Sequence, residues 1–235
     1  MIDFGHVTEI WRDFPELAAG CLFATGVTAD ADVRDPVARY CAVADERLAA
    51  GTESELPEIR AWRRTFARMG MKPTQYRCAA ESLARRYRKE HALPSVHPLV
   101  DLCNAMSLAY AVPIAVIDAD RVAWPLWVRY ATGDERYLSF GGEEEKPYAG
   151  EVVFADAAGH AHARRWTHRQ SALSAVRPET TSVLVVAEAM HETARADIAR
   201  LVDALSAELA AAWRPPTATG VLTPGAPEFT VPAAM

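Results

Sequence analysis

From Pro113 to Ala187 the pattern leaves the helical period and shifts toward a period of two, in six short segments that read as strands. The segments are Pro113–Asp118, Val122–Tyr130, Arg136–Phe140, Glu151–Ala155, Ala161–Trp166 and Ser182–Ala187. Asp156-Ala157-Ala158-Gly159 reads as a hairpin turn, and Gly141-Gly142 with Glu143, Glu144 and Glu145 as an exposed loop. The flanks carry the helical period. Ile10, Phe14 and Leu17 share one face of an opening helix that Pro15 can divide. Pro36 starts a second, with Val37, Tyr40, Cys41 and Ala44 inward, and Ile59, Trp62 and Phe66 form the inner face of a third. After the break at Met69–Pro73, an amphipathic helix runs from about 75 to 90, with Ala79, Ala80, Leu83, Ala84 and Tyr87 as its apolar stripe. Another starts at Pro98 and buries Leu99, Leu102, Cys103 and Met106. A last one runs from about 190 to 213. The expected organisation is α+β: an N-terminal helical extension over 1–68 packed on the body, a body over 69–213 closed by the last helix, and a disordered Pro/Thr/Ala/Gly-rich tail over 214–235.

Half of the 235 residues are apolar, enough for one substantial core. Cys21, Cys41, Cys78 and Cys103 form no CxxC pair, so they read as buried thiols rather than zinc or redox ligands. No apolar run reaches the roughly 20 residues that cross a bilayer, and no basic-then-apolar leader is present, so the cytoplasm is the expected compartment. GxSxG, P-loop, HExxH and dinucleotide glycine patterns are absent, and no cofactor is expected.

The chain is formally −6, yet Arg60 to Lys89 holds ten basic residues against the single acid Glu81. A basic stretch on an acidic protein suits a phosphate-rich partner, with Arg77, Arg85, Arg88 and Lys89 as the candidate contacts. His97, Asp101, Asn104 and Leu108 share one helical face. His97 there is either a cap or a catalytic imidazole, and Asn104 can orient a polar ligand atom. Arg164 to Ser171 offers arginines, an indole and an amide at a strand end. Those groups suit phosphate and base contacts, or equally an ordinary surface paired to the Glu143–Glu145 loop. His160 and His162 supply only two ligands beside Arg164, so no metal site is expected. Glu188, after the apolar run Val183–Val186, is either ligand-facing or solvated.

Residues from about 70 to 190 resemble the B3/B4 domain, the editing module of the bacterial phenylalanyl-tRNA synthetase beta subunit, and most of all its freestanding forms. The resemblance rests on Leu93-Pro94-Ser95-x-x-Pro98-Leu-Val-Asp101-Leu-Cys-Asn104, Val112-Pro113-Ile-Ala-Val-Ile-Asp118, Val128-Arg129-Tyr-Ala-x-Gly133-Asp-Glu135 and Arg165-Trp166-x-x-Arg169-Gln170-Ser171. It implies a three-layer domain with a β-sandwich, and a pocket that holds a misattached aminoacyl ester for hydrolysis. tRNA or aminoacyl-tRNA is the implied partner, with no membrane; monomer and homodimer both stay open. The resemblance places the substrate-holding asparagine at Asn104, the pocket glutamate loosely at Glu188, a threonine position at Cys103 and the editing histidine at Ala115. Glu188, His97 and Asn104 become the catalytic candidates. Asn104, Cys103, Arg165, Trp166, Arg169 and Gln170 become the substrate contacts, with non-catalytic RNA binding and a carboxylated-metabolite pocket as alternatives.

Overall fold

The computed structural model describes residues 1–232. In chain order the elements are β1 (Ile2–His6), α1 (Thr8–Asp13), β2 (Ala18–Thr25), α2 (Arg34–Ala49), α3 (Pro57–Arg68), α4 (Ala79–Glu90), α5 (Pro98–Tyr110) and β3 (Ile114–Asp118). There follow β4 (Leu126–Tyr130), β5 (Tyr137–Leu138), β6 (Glu144–Glu145), β7 (Val152–Asp156), β8 (Ala161–Arg164), β9 (Arg169–Gln170), β10 (Ser182–Ala189), α6 (Ala194–Ala212), β11 (Ala218–Leu222) and β12 (Glu228–Val231). One sheet has the order β12-β1-β4-β7-β8-β9, a second β11-β2-β10-β3, and β5 pairs with β6. The β1–β4 pair is parallel and the other strand pairs are antiparallel.

Three layers follow from the side chains of β10. Leu184 and Val186 point into the core between the two large sheets, with Phe4, Val128, Phe154 and Trp166. Val183, Val185 and Ala187 point the other way, onto Leu102 and Met106 of α5 and Ile198, Leu201 and Leu205 of α6. The strand period of two therefore phases Glu188 with Leu184 and Val186, between the sheets. Gly20 lets β2 approach α6 closely, since a Cβ there would meet Val202 Cγ2 at 2.5 Å. The architecture is an α+β sandwich with packed helices.

The opening residues differ from the helical expectation. Only Thr8–Asp13 is helical before Arg34, and β1 and β2 are central to the two sheets. The run AAGCLFAT of β2 is buried at seven of its eight positions. A strand covered on both faces loses its alternation, so nothing in its pattern separates it from a helix. The tail expected to be disordered also forms strands: β11 pairs with β2 and β12 with β1. Residues 233–235 of that tail lie outside the described residues. The segment read as a strand to Trp166 stops at Arg164, because Arg165 and Trp166 turn left-handed, with φ of 49° and 57°.

Candidate functional site

A cavity opens between the sheets. Ala115 of β3 and Val186 and Glu188 of β10 form one wall, Phe154, Ala163 and the Trp166–Gln170 turn form the other, and Ala79 at the start of α4 closes one side. Its volume is about 60 Å³, room for about two waters at roughly 30 Å³ each, or for a small side chain.

Glu188 is buried, and its Oε1 accepts twice, from Trp166 Nε1 at 2.9 Å and from His6 Nε2 at 2.6 Å. Its backbone carbonyl accepts from Trp62 Nε1 at 3.3 Å. His6 is the partner that sequence reasoning missed. It is buried, and its Nδ1 has no partner among the described residues. The tautomer with hydrogen on Nε2 therefore donates to Glu188 and leaves only a lone pair unmet. No local signal ties His6 to an acid 182 positions away, although its strand phase with buried Phe4 marks an inward position. Glu188 Oε2 accepts no hydrogen bond among the described residues, so it remains available to a ligand in the cavity that Glu188 lines.

The facing turn is held in an uncommon backbone. Two consecutive non-glycine residues at positive φ cost about 1–3 kcal/mol each unless their surroundings fix them. Here Glu151 Oε1 accepts from the Arg165 amide at 2.8 Å, the Val152 carbonyl accepts from the Trp166 amide at 2.8 Å, and the Trp166 indole is tied to Glu188. The Trp166 ring stands edge-on to Phe14 at 4.9 Å and to Trp62 at 5.3 Å. Glu151 is clamped in turn by buried Arg164, whose Nε and Nη2 each donate at 3.0 Å while its Nη1 reaches Glu145 at 2.5 Å.

This turn presents His168 to the cavity. Nδ1 donates to the Arg77 carbonyl at 2.7 Å, which leaves Nε2 as an acceptor in the neutral ring. Burial is the largest influence and lowers the His168 pKa below its ordinary 6.5; the nearby Arg165 and Arg169 charges act the same way, against the bond to Arg77. His168 is thus a neutral imidazole with a free lone pair near pH 7. Thr167 adds a hydroxyl without a partner among the described residues. Gln170 donates Nε2 to the Val116 carbonyl at 2.7 Å, which ties the turn to β3.

Other candidates lie elsewhere. Cys103 is in the core between the second sheet and the helices, where burial pushes its thiol up to about 12. Asn104 does not line the cavity. It shares its side of α5 with Leu108, which packs with Ala44, Ala84 and Tyr87 away from the sheets. His97 is the N-cap of α5: its Nδ1 accepts from the Leu99 amide at 3.2 Å, and the ring lies beside Asp30 and Asp32 in a separate hollow. Arg165 turns away from the cavity and lies over the Tyr76 ring at 4.8 Å.

The basic segment is largely offset by acids from other elements. Arg85 and Arg88 both pair with Glu53, Arg63 and Arg77 with Glu81, and Arg68 with Glu16. Lys89 stays exposed and has no ion pair among the described residues. Arg169 lines the cavity and pairs with Glu145 at 3.2 Å. Among the described residues, no group of three or more His, Cys, Asp or Glu could hold a metal ion, and no helix is long and apolar enough to cross a membrane.

Residues 61–210, well over half the chain, match the B3/4 domain family. The chain belongs to that family. In this B3/4 domain the position that the resemblance assigns to histidine, Ala115, is in the cavity wall. A solved structure, the N-terminal fragment of the phenylalanyl-tRNA synthetase beta-subunit from Pyrococcus horikoshii, is similar at 9% identity with a TM-score of 0.48. The similarity covers 94% of this chain and 50% of that one, so this B3/4 chain spans about half that fragment's length. No curated protein matches the chain.

Proposed function

We propose that this B3/4 chain is a tRNA-binding protein of the cytoplasm whose inter-sheet cavity hydrolyses the ester of a mischarged aminoacyl-tRNA. One observation carries the reading: Ala115, His168, Arg169, Gln170 and Glu188 surround a single hollow, with a carboxylate on one wall and a neutral imidazole on the other. The α-ammonium of an aminoacyl ester binds the free Oε2 of Glu188, the one carboxylate among the described residues that line the cavity. Water attacks the ester carbonyl carbon and gives its proton to His168 Nε2. The bond to the ribose oxygen breaks as the new C–O bond completes, and His168 returns the proton to that oxygen. His6 and Trp166 are positioning residues that hold the carboxylate. The imidazole missing at Ala115 is supplied from the opposite wall.

The small volume selects small amino acids. A deacylation panel of glycyl-, alanyl-, seryl-, phenylalanyl- and tyrosyl-tRNA tests this, with hydrolysis expected for the first three. No cleavage above the buffer rate for any ester would overturn the enzymatic reading. Glu188→Gln keeps an oxygen acceptor for His6 and Trp166 but loses the charge. It is expected to lower kcat/KM by about ten- to a hundredfold, as for one charge-assisted hydrogen bond, mostly through KM. An unchanged KM would remove Glu188 from substrate binding. Arg169→Ala and Lys89→Ala should each reduce the slope of log K against log salt for tRNA by about one; filter-binding titrations over a salt series measure it.

A second reading is favoured by the pairing of Arg63, Arg77, Arg85 and Arg88 with internal acids, which leaves less free charge for RNA. In it the cavity holds a small carboxylated metabolite beside Arg169. Absence of total-tRNA binding at low salt would favour it.

A further inference from the structure

A second hollow adjoins the cavity across the Arg165–His168 turn, lined by Met69, Met71, Tyr76, Tyr148, Val152 and Arg165. We propose that it holds the adenine of the substrate's terminal adenosine, an assignment that rests on the ester chemistry above. Three observations favour a purine. Tyr148 is 74% exposed, a large aromatic ring left in water beside half-buried methionines, and an exposed ring of this kind is a ready stacking platform. The Arg165 guanidinium already lies over the Tyr76 ring at 4.8 Å, so a planar cation and an aromatic face stand together in the same wall. Glu151, which also lines the hollow, is already engaged by Arg164 and the Arg165 amide, and its charge offsets that of Arg165 in the same wall, so the lining suits a neutral base.

The two hollows are also the right distance apart. Val152 lines one and Phe154 the other, on the same face of β7, and two residues of strand span about 7 Å. Tyr76 stands edge-on to His168, with ring centroids 5.5 Å apart, so the base site and the imidazole share a wall. In an aminoacyl adenosine one ribose separates the ester from the base. With the ester carbon at His168, the base is carried onto Tyr148.

Isothermal titration with two hydrolysis-resistant probes tests the assignment. One is the alanyl amide of 3′-aminoadenosine; the other is the same amide on a ribose without a base. Wild-type protein is expected to bind the adenosine probe more tightly. Tyr148→Ala should weaken that probe by about ten- to a hundredfold, the loss of one base–aromatic stack, and leave the baseless probe unaffected. Equal binding of both probes to wild type, or adenosine-probe binding unchanged by Tyr148→Ala, would overturn the base site. Deacylation assays on the same proteins separate the two ideas. Wild-type KM in Tyr148→Ala on a cleaved aminoacyl-tRNA sinks the base site and spares the ester chemistry. Tyr148-dependent adenosine binding with no ester cleaved does the reverse.

Discussion

His168→Gln is expected to reduce the rate of aminoacyl-ester hydrolysis by about 10²- to 10⁴-fold, the usual contribution of a positioned general base. Glutamine places its amide near the position of Nε2, so it removes the titrating base together with the Nδ1 bond to the Arg77 carbonyl; His168→Asn, whose Nδ2 stands where Nδ1 does, keeps that tie and should show the same loss. The pH profile carries the sign. Burial lowers the pKa of His168 below 6.5, so the neutral base persists further into acid than a free imidazole would. kcat/KM should be level from neutrality down past 6.5 and fall only below it, and that acid limb should vanish in the variant. The same displacement bears on stability. The unfolded chain takes up a proton at this ring before the folded chain does, so the ring's contribution is complete above 6.5 and declines as pH falls. An acid limb that survives His168→Gln, or one centred well above 6.5, would assign the base role to another group.

Arg164→Met should produce the largest loss of stability, about 3–5 kcal/mol, because it leaves a buried carboxylate without its partner. Arg164 is 3% exposed and makes three hydrogen bonds, two to Glu151 and one to Glu145. Methionine fills much of the volume beside Tyr137 but none of the charge. Glu151 would then draw water inward or move, and with it the Arg165 amide that it holds in the left-handed turn. Lysine is a poor rescue, since a point charge cannot reproduce the two-pronged contact. The measurement is the urea midpoint at constant m-value. The double variant Arg164→Met with Glu151→Gln should recover part of the loss, a coupling that a simple packing defect would not show. A cost below about 1 kcal/mol would mean that the pair is solvated and does not brace the site.

The sandwich was legible where branched residues or a marked turn identified a strand, since β7, β8 and β10 are covered on both faces. That is why β3, β7, β8 and β10 could be read, while helices α4 to α6 follow from periodicity. β2 was hidden because both of its faces are covered and half of its eight residues are Ala or Gly, with no β-branched residue before Thr25. β11 and β12 were hidden because their partners lie some 200 positions upstream. Glu188 and the Trp166–Gln170 segment could be singled out because each ends or follows an apolar strand. Asn104 could be singled out too, yet its helical phase belongs with Leu108 and directs it away from the sheets. The resemblance drew attention to α5, whereas the imidazole facing the carboxylate comes from the turn after β8. The basic stretch misled for a related reason. Glu53 and Glu16, which offset it, are distant in sequence and adjacent in space.

β11 and β12 are joined by a short turn yet part company, one joining the edge of each sheet. During synthesis, then, β1 and β2 are made some 200 residues before β12 and β11, and each has one side unpaired until its partner follows. Until then the emerging chain carries two open edges that invite neighbours on the same message or a holding chaperone.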